Sequence, residues 1–165
     1  MQQAIKQAPE DFSLRLARAS LMEQRGKSDE AIKMYEQLLK ERPNAQVVIN
    51  NLASLLAETR TTEADFKRAY ELAQGLRAST VPQFKDTVGW ASYRVGRYAE
   101  AAGPLRDAAQ AMPGLPVTQF HLGMNLLAQG NKEGARKALQ QALDLAAKGA
   151  PFAQVDDAKK ALAGI

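Results

Sequence analysis

Residues 88–113 read VGWASYRVGRYAEAAGPLRDAAQAMP, and 34 positions later residues 122–147 read LGMNLLAQGNKEGARKALQQALDLAA. The two stretches share one skeleton. A glycine (Gly89, Gly123) is followed by a turn glycine (Gly96, Gly130), then an alanine (Ala101, Ala135), a leucine (Leu105, Leu139) and another alanine (Ala108, Ala142). The last three are spaced four and then three apart, which puts them on one face of a helix. Each stretch therefore reads as two helices joined at a glycine. Ala19 and Ala53 extend the first glycine series backwards, at intervals of 34, 36 and 34, and Ala31 and Ala69 extend the alanine series. A period near 34 is that of a helix–turn–helix repeat. Small residues recur because two antiparallel helices on a short turn must press their backbones together. Ala19 facing Ala31, or Gly89 facing Ala101, is expected to allow this, where leucine would hold the helices apart.

The period divides the chain into repeats at 10–43, 44–81, 82–115 and 116–149, with a capping helix expected over 150–165. Pro43 and Pro113 close two repeats, since proline cannot continue a helix but suits the first turn of the next. The second repeat holds four extra residues around Thr61, Thr62, Glu63 and Ala64. Ser79, Thr80 and Val81 replace its closing proline. A lengthened surface turn within one continuous domain is the expectation there, because turns absorb insertions cheaply. Residues 1–9, MQQAIKQAP, read as the last turns of a helix from a preceding repeat, with a short capping helix as the alternative. Phe152, Val155, Ala158 and Leu162 make an apolar stripe near the other end, and Asp156 and Asp157 precede Lys159 and Lys160 in the sense a helix dipole favours. Gly103-Pro104 falls inside a helix, so a bend is expected near Glu100 to Pro104.

These features identify the chain as resembling the tetratricopeptide repeat family over nearly its whole length. The resemblance is carried by Leu122-Gly123, Gly130, Ala135, Leu139 and Ala142, and by Val88-Gly89, Gly96-Arg97-Tyr98, Ala101, Leu105, Ala108 and Pro113. The first repeat departs from the pattern, with Arg15 and Arg18 at places the family gives to aromatic and leucine residues. The phrases NNLASLLAE (50–58), DTVGWASYRVGRYAEA (86–101) and QFHLGMNLLAQGNKEGA (119–135) also look like the C-terminal repeat block of large bacterial tetratricopeptide proteins. Some of those are associated with exopolysaccharide and exosortase (PEP-CTERM) systems. The resemblance implies an all-α solenoid, a right-handed superhelix of antiparallel helix pairs. It implies a scaffold that binds a protein or peptide partner in a concave groove, in the cytoplasm or facing the bacterial envelope. A self-association (dimerisation) module is the alternative function, with polysaccharide or nucleic-acid binding behind it, and the chain is expected to be a monomer or a weak homodimer.

Composition narrows the field further. Cysteine is absent, so there is no disulfide framework and no thiolate metal site. No apolar run reaches the length of a membrane span, and no basic-then-apolar leader is visible. The net charge is +4, from 22 lysines and arginines against 18 acids. The basic residues are scattered among acids, which argues against nucleic acid. His121, the single histidine, has Val117, Thr118, Met124 and Asn125 at helical spacing and no carboxylate, so it reads as a surface or groove-edge residue. No enzyme, metal or cofactor is expected.

The resemblance places the first helix of each repeat on the concave face. Groove positions are then Ser13, Leu16, Ser20 and Glu23; Val47, Asn50, Ser54 and Ala57; Gln83, Asp86, Trp90 and Tyr93; and Val117, Phe120, Met124 and Leu127. Tryptophan and tyrosine favour binding hot spots, and methionine adapts to varied partners. Trp90, Tyr93, Phe120 and Met124 are expected to form an apolar pocket, with Asn50, Asn51, Ser54 and Asp86 fixing a partner's backbone. Packing of Trp90 and Phe120 between repeats is the competing expectation. A chaperone-type carboxylate clamp is not expected: Asn51 falls at one clamp position, but Leu16, Ser20, Gln83 and Thr87 fill the others and supply no cation.

Overall fold

Four helices end at a glycine in the same way. Gly26, Gly96, Gly130 and Gly149 all take positive φ, between 72° and 95°. At the first, the Gly26 amide bonds to the Glu23 carbonyl and the Lys27 amide reaches back to Met22. The pair of bonds recurs at Gly96, Gly130 and Gly149. This closes the orphan carbonyls of a helix end, and only glycine adopts that backbone without strain.

The computed structural model describes residues 11–165. Among them are nine helices and no strand: α1 Phe12–Gln24, α2 Ser28–Glu41, α3 Gln46–Thr59, α4 Glu63–Gln74, α5 Pro82–Arg94, α6 Tyr98–Ala111, α7 Pro116–Ala128, α8 Lys132–Ala147 and α9 Val155–Ala163. Residues 1–9, expected to end a preceding helix, lie outside the described residues. The chain divides into two compact units, unit 1 through Ala78 and unit 2 over Ser79–Ile165. The division falls where Ser79, Thr80 and Val81 replace the closing proline.

Unit 1 pairs α1 with α2 and α3 with α4, and α2 packs on α3. Asp11 starts α1 by accepting from the Leu14 amide at 2.9 Å. The four extra residues of the second repeat do not lengthen its turn. Three residues, 60–62, join α3 to α4, as three join α1 to α2. The extra length is helical instead: Thr62 caps α4 early by accepting from the Asp65 amide, and Glu63 and Asp65 suit the positive helix start. Once a capping threonine and two acids are available, another helical turn satisfies more backbone than a loop does.

Unit 2 pairs α5 with α6 and α7 with α8, and α9 packs on α8. Pro82 and Pro116 each open a helix, α5 and α7. The capping helix begins at Val155 rather than near residue 150, with Ala158 fully buried. α6 runs continuously from Tyr98 to Ala111 through Pro104. Pro104 has no amide to give the Glu100 carbonyl. Gly103 before it has no side chain to clash with the proline ring.

The small residues of the repeat lie in the core. Ala19, Ala31, Ala53, Ala69, Ala101 and Ala135 are all fully buried. The residue that faces Gly89 is Leu105, one helical turn beyond the expected Ala101. A methyl group added at Gly89 would lie 2.5 Å from Leu105 Cγ, and one at Gly123 would lie 2.7 Å from Leu139 Cγ. Both leucines are fully buried and cannot swing away. Gly89→Ala is therefore expected to lower stability by ~1–3 kcal/mol through overpacking, outweighing the ~1 kcal/mol that alanine gains in helix propensity. Urea unfolding of the variant checks this.

Candidate functional site

Unit 1 builds a polar hub around one phenol. Tyr35, on α2, is fully buried. Its hydroxyl donates to Glu23 Oε2 at 2.7 Å, lies 3.1 Å from Ser20 Oγ, and accepts from Asn51 Nδ2 at 3.3 Å. Asn50 Nδ2 donates in turn to Asn51 Oδ1 at 3.2 Å. Ser20 and Glu23 come from α1, and Asn50 and Asn51 from α3, so the hub ties three helices. Burial pushes the Tyr35 hydroxyl up to about 12, with the Glu23 charge adding to the effect. Glu23 is itself raised above the ordinary glutamate value by burial, which the Tyr35 hydrogen bond partly offsets. Ser54 lies half-buried on α3.

Unit 2 carries the aromatic candidates. Trp90 on α5 is stacked on both sides, by Tyr93 at 4.6 Å between ring centroids and by His121 at 4.0 Å. Phe120 tilts against Trp90 at 5.8 Å and against Phe152, before α9, at 5.8 Å. Trp90 and Phe120 are buried, while Tyr93, Met124 and Asp86 remain partly exposed. Burial raises the Tyr93 hydroxyl above its usual value. The Arg94 guanidinium lies 5.7 Å from the Trp90 ring centre.

His121 is not at the surface. It is 2% exposed, with Nδ1 at 3.1 and 3.0 Å from the two oxygens of Asp86. A carboxylate only accepts, so Nδ1 carries the proton. The missing carboxylate comes from α5, not from the histidine's own helix, which is why spacing along α7 does not show it. The repeat register does show it: Asp86 and Phe120 are 34 apart, and His121 is next to Phe120. At this burial the ring presents no face to a substrate, and its work is to hold Asp86 and support Trp90. Asn125, one turn along α7, is fully buried, and neither of its amide atoms meets a protein partner.

The expected site residues thus fall into two sets. Asn50, Asn51 and Ser54 belong to unit 1, where two are tied to the Tyr35 hub. Asp86, Trp90, Tyr93, Phe120 and Met124 belong to unit 2, where the aromatic stack links Trp90 with Tyr93 and Phe120. Sequence reasoning did not single out Tyr35, whose position four after Ala31 marks it only as a packing residue. No cluster of three or more metal-ligating side chains occurs among the described residues, and no helix among them is long and apolar enough to cross a membrane. An open cleft of about 370 Å³ lies in unit 1 between Ile32, Leu56, Thr62 and Arg68. Arg60 and Arg68 on its wall are paired with Asp29 and Glu36.

Two sequence models of the tetratricopeptide repeat match residues 12–55 and 118–148. The chain is 32% identical over 123 residues to a TPR repeat-containing protein of Pseudomonas aeruginosa, covering 74% of this chain and 20% of that protein. It is 37% identical over 59 residues to a surface lipoprotein assembly modifier of Pasteurella multocida, covering 36% of this chain and 12% of that protein. The chain thus spans a fifth or less of the length of these relatives. Among solved structures, a TPR protein of Thermus thermophilus, TTC0263, aligns over 99% of this chain and 85% of its own, with TM-score 0.69 and 17% identity. YrrB, described as a TPR protein with an unusual peptide-binding site, aligns over 98% and 79% with TM-score 0.64 and 17% identity. MamA from Desulfovibrio magneticus aligns over 92% and 89% with TM-score 0.62 and 20% identity. The chain belongs to the tetratricopeptide repeat family, and its fold class is the all-α solenoid of that family.

Two outcomes follow from this geometry. Trp90→Ala removes the ring at the centre of the stack and is expected to lower stability by ~3–5 kcal/mol in urea unfolding. Glu23→Gln is expected to act in the opposite direction. An acid whose pKa is raised by folding disfavours the folded state once ionised, and the penalty disappears as pH falls through the raised value to below 4.5. The variant should melt above the wild type at pH 7 and level with it at pH 4, read from paired thermal scans.

Proposed function

We propose that this tetratricopeptide repeat chain is a protein-interaction scaffold that holds an extended peptide or a partner helix against the first helices of its repeats, in the service of a larger assembly. The observation that carries the reading is in unit 2. Tyr93, Met124 and Asp86 stay partly exposed beside the buried rings of Trp90 and Phe120. Those rings are held in turn, Trp90 by His121 and Phe120 by Phe152. A rigid aromatic floor with an adaptable methionine and one oriented carboxylate at its rim suits a hot spot, because little side-chain freedom is lost on binding. In unit 1, Ser20, Asn50 and Ser54 are small or amide side chains suited to hydrogen bonding along a peptide backbone. The family supports the general role, since helical repeats stack to present extended binding surfaces.

The test is affinity capture with the wild-type chain beside a Tyr93→Ala, Met124→Ala variant. Both residues are partly exposed, and the variant is expected to keep its fold by circular dichroism. A partner retained by the wild type should be held at least about tenfold more weakly by the variant, the loss of ~1.4 kcal/mol or more that a hot spot implies. Equal retention by both would overturn the placement of the site.

A further inference from the structure

We propose that the face of unit 1 formed by Ser20, Glu23, Asn50 and Ser54 docks a cationic side chain of the partner segment, a lysine or arginine. The proposal rests on the groove reading above and names the chemistry that one unit selects.

Charge is the first argument. The chain is basic, with 22 lysines and arginines against 18 acids. Yet the groove positions of unit 1, Ser13, Leu16, Ser20 and Glu23 on α1 with Val47, Asn50, Ser54 and Ala57 on α3, carry one charge, and it is negative. The second argument is pairing. All four acids of α2 are matched to cations: Asp29 to Arg60, Glu30 to Lys27, Glu36 to Arg68 and Glu41 to Arg15. Those pairs are largely exposed and contribute little individually. Glu23 is more buried than Asp29, Glu30 or Glu41 and has no lysine or arginine paired with it among the described residues. Among the described residues its one donor is the Tyr35 hydroxyl at 2.7 Å.

Orientation is the third argument. Tyr35 is fully buried and held by Ser20 and Asn51, so the carboxylate it grips is held in place before a partner arrives. A half-buried carboxylate without a counter-ion costs folding energy. Glutamine would keep the Tyr35 bond without that cost. An ammonium or guanidinium group arriving from a partner turns the cost into a charge-assisted hydrogen bond. A neutral amide supplies no such charge, and an acidic segment is repelled.

The test uses two eight-residue peptides, acetylated and amidated. One is composed of serine, leucine and lysine, and in the other every lysine is replaced by glutamate. Each is titrated into the isotope-labelled chain at low salt and followed by NMR. The lysine peptide is expected to shift amides of α1 and α3, and Glu23→Gln is expected to weaken it about fivefold or more. In the unaltered chain, the lysine peptide should also lower the pH at which the Glu23 carboxyl titrates, a readout that does not depend on the variant. Equal binding of the glutamate peptide on α1 and α3, or an unchanged affinity in Glu23→Gln, overturns the cation proposal and leaves the groove reading standing. Shifts confined to α2 and α4 overturn both.

Discussion

The structure depends on how closely two backbones approach. In unit 2 the first helix of each pair lies against the second at Gly89 or Gly123, and Ala19 and Ala53 hold the same register positions in unit 1, fully buried. What faces the small residue sets its size. Leu105 and Leu139 leave no room for a methyl group, and glycine is found opposite them. In the first repeat the equivalent of Leu105 is Tyr35, and alanine occupies position 19. The choice of tyrosine is what brings a hydroxyl into the core of unit 1. From that hydroxyl follow the bonds to Ser20, Glu23 and Asn51.

Much of this is legible in the chain. The turn glycines are visible because positive φ leaves glycine as the default residue, and a fixed interval to the next alanine gives the register of the second helix. The insertion in the second repeat lies in helix and not in the turn, and residue count alone does not separate the two. The signal that separates them is local: Thr62 followed by Asp65, with Glu63 between, is a helix start. Helix α9 begins later than the period predicts because Gly149 and Pro151 stop and delay the chain.

The candidate residues were less legible, for a different physical reason. A helix face is read from spacings of three and four, but the neighbours that matter here come from other helices. His121 meets Asp86 across 35 residues, and Asn51 meets Tyr35 across 16. The same limit explains Trp90 and Phe120, which the register places towards the groove and which neighbouring rings nonetheless cover. Their neighbours Tyr93, Met124 and Asp86 stay partly exposed. Unit 1 carries polar groups and one oriented carboxylate, and unit 2 a set of stacked aromatic rings.

The central claim is that binding uses the first helix of each pair. Hydrogen–deuterium exchange of the chain, alone and saturated with a captured partner, tests it most directly. The account predicts slowed exchange in α1, α3, α5 and α7, with α2, α4, α6 and α8 unchanged. Protection confined to the second helices would contradict it.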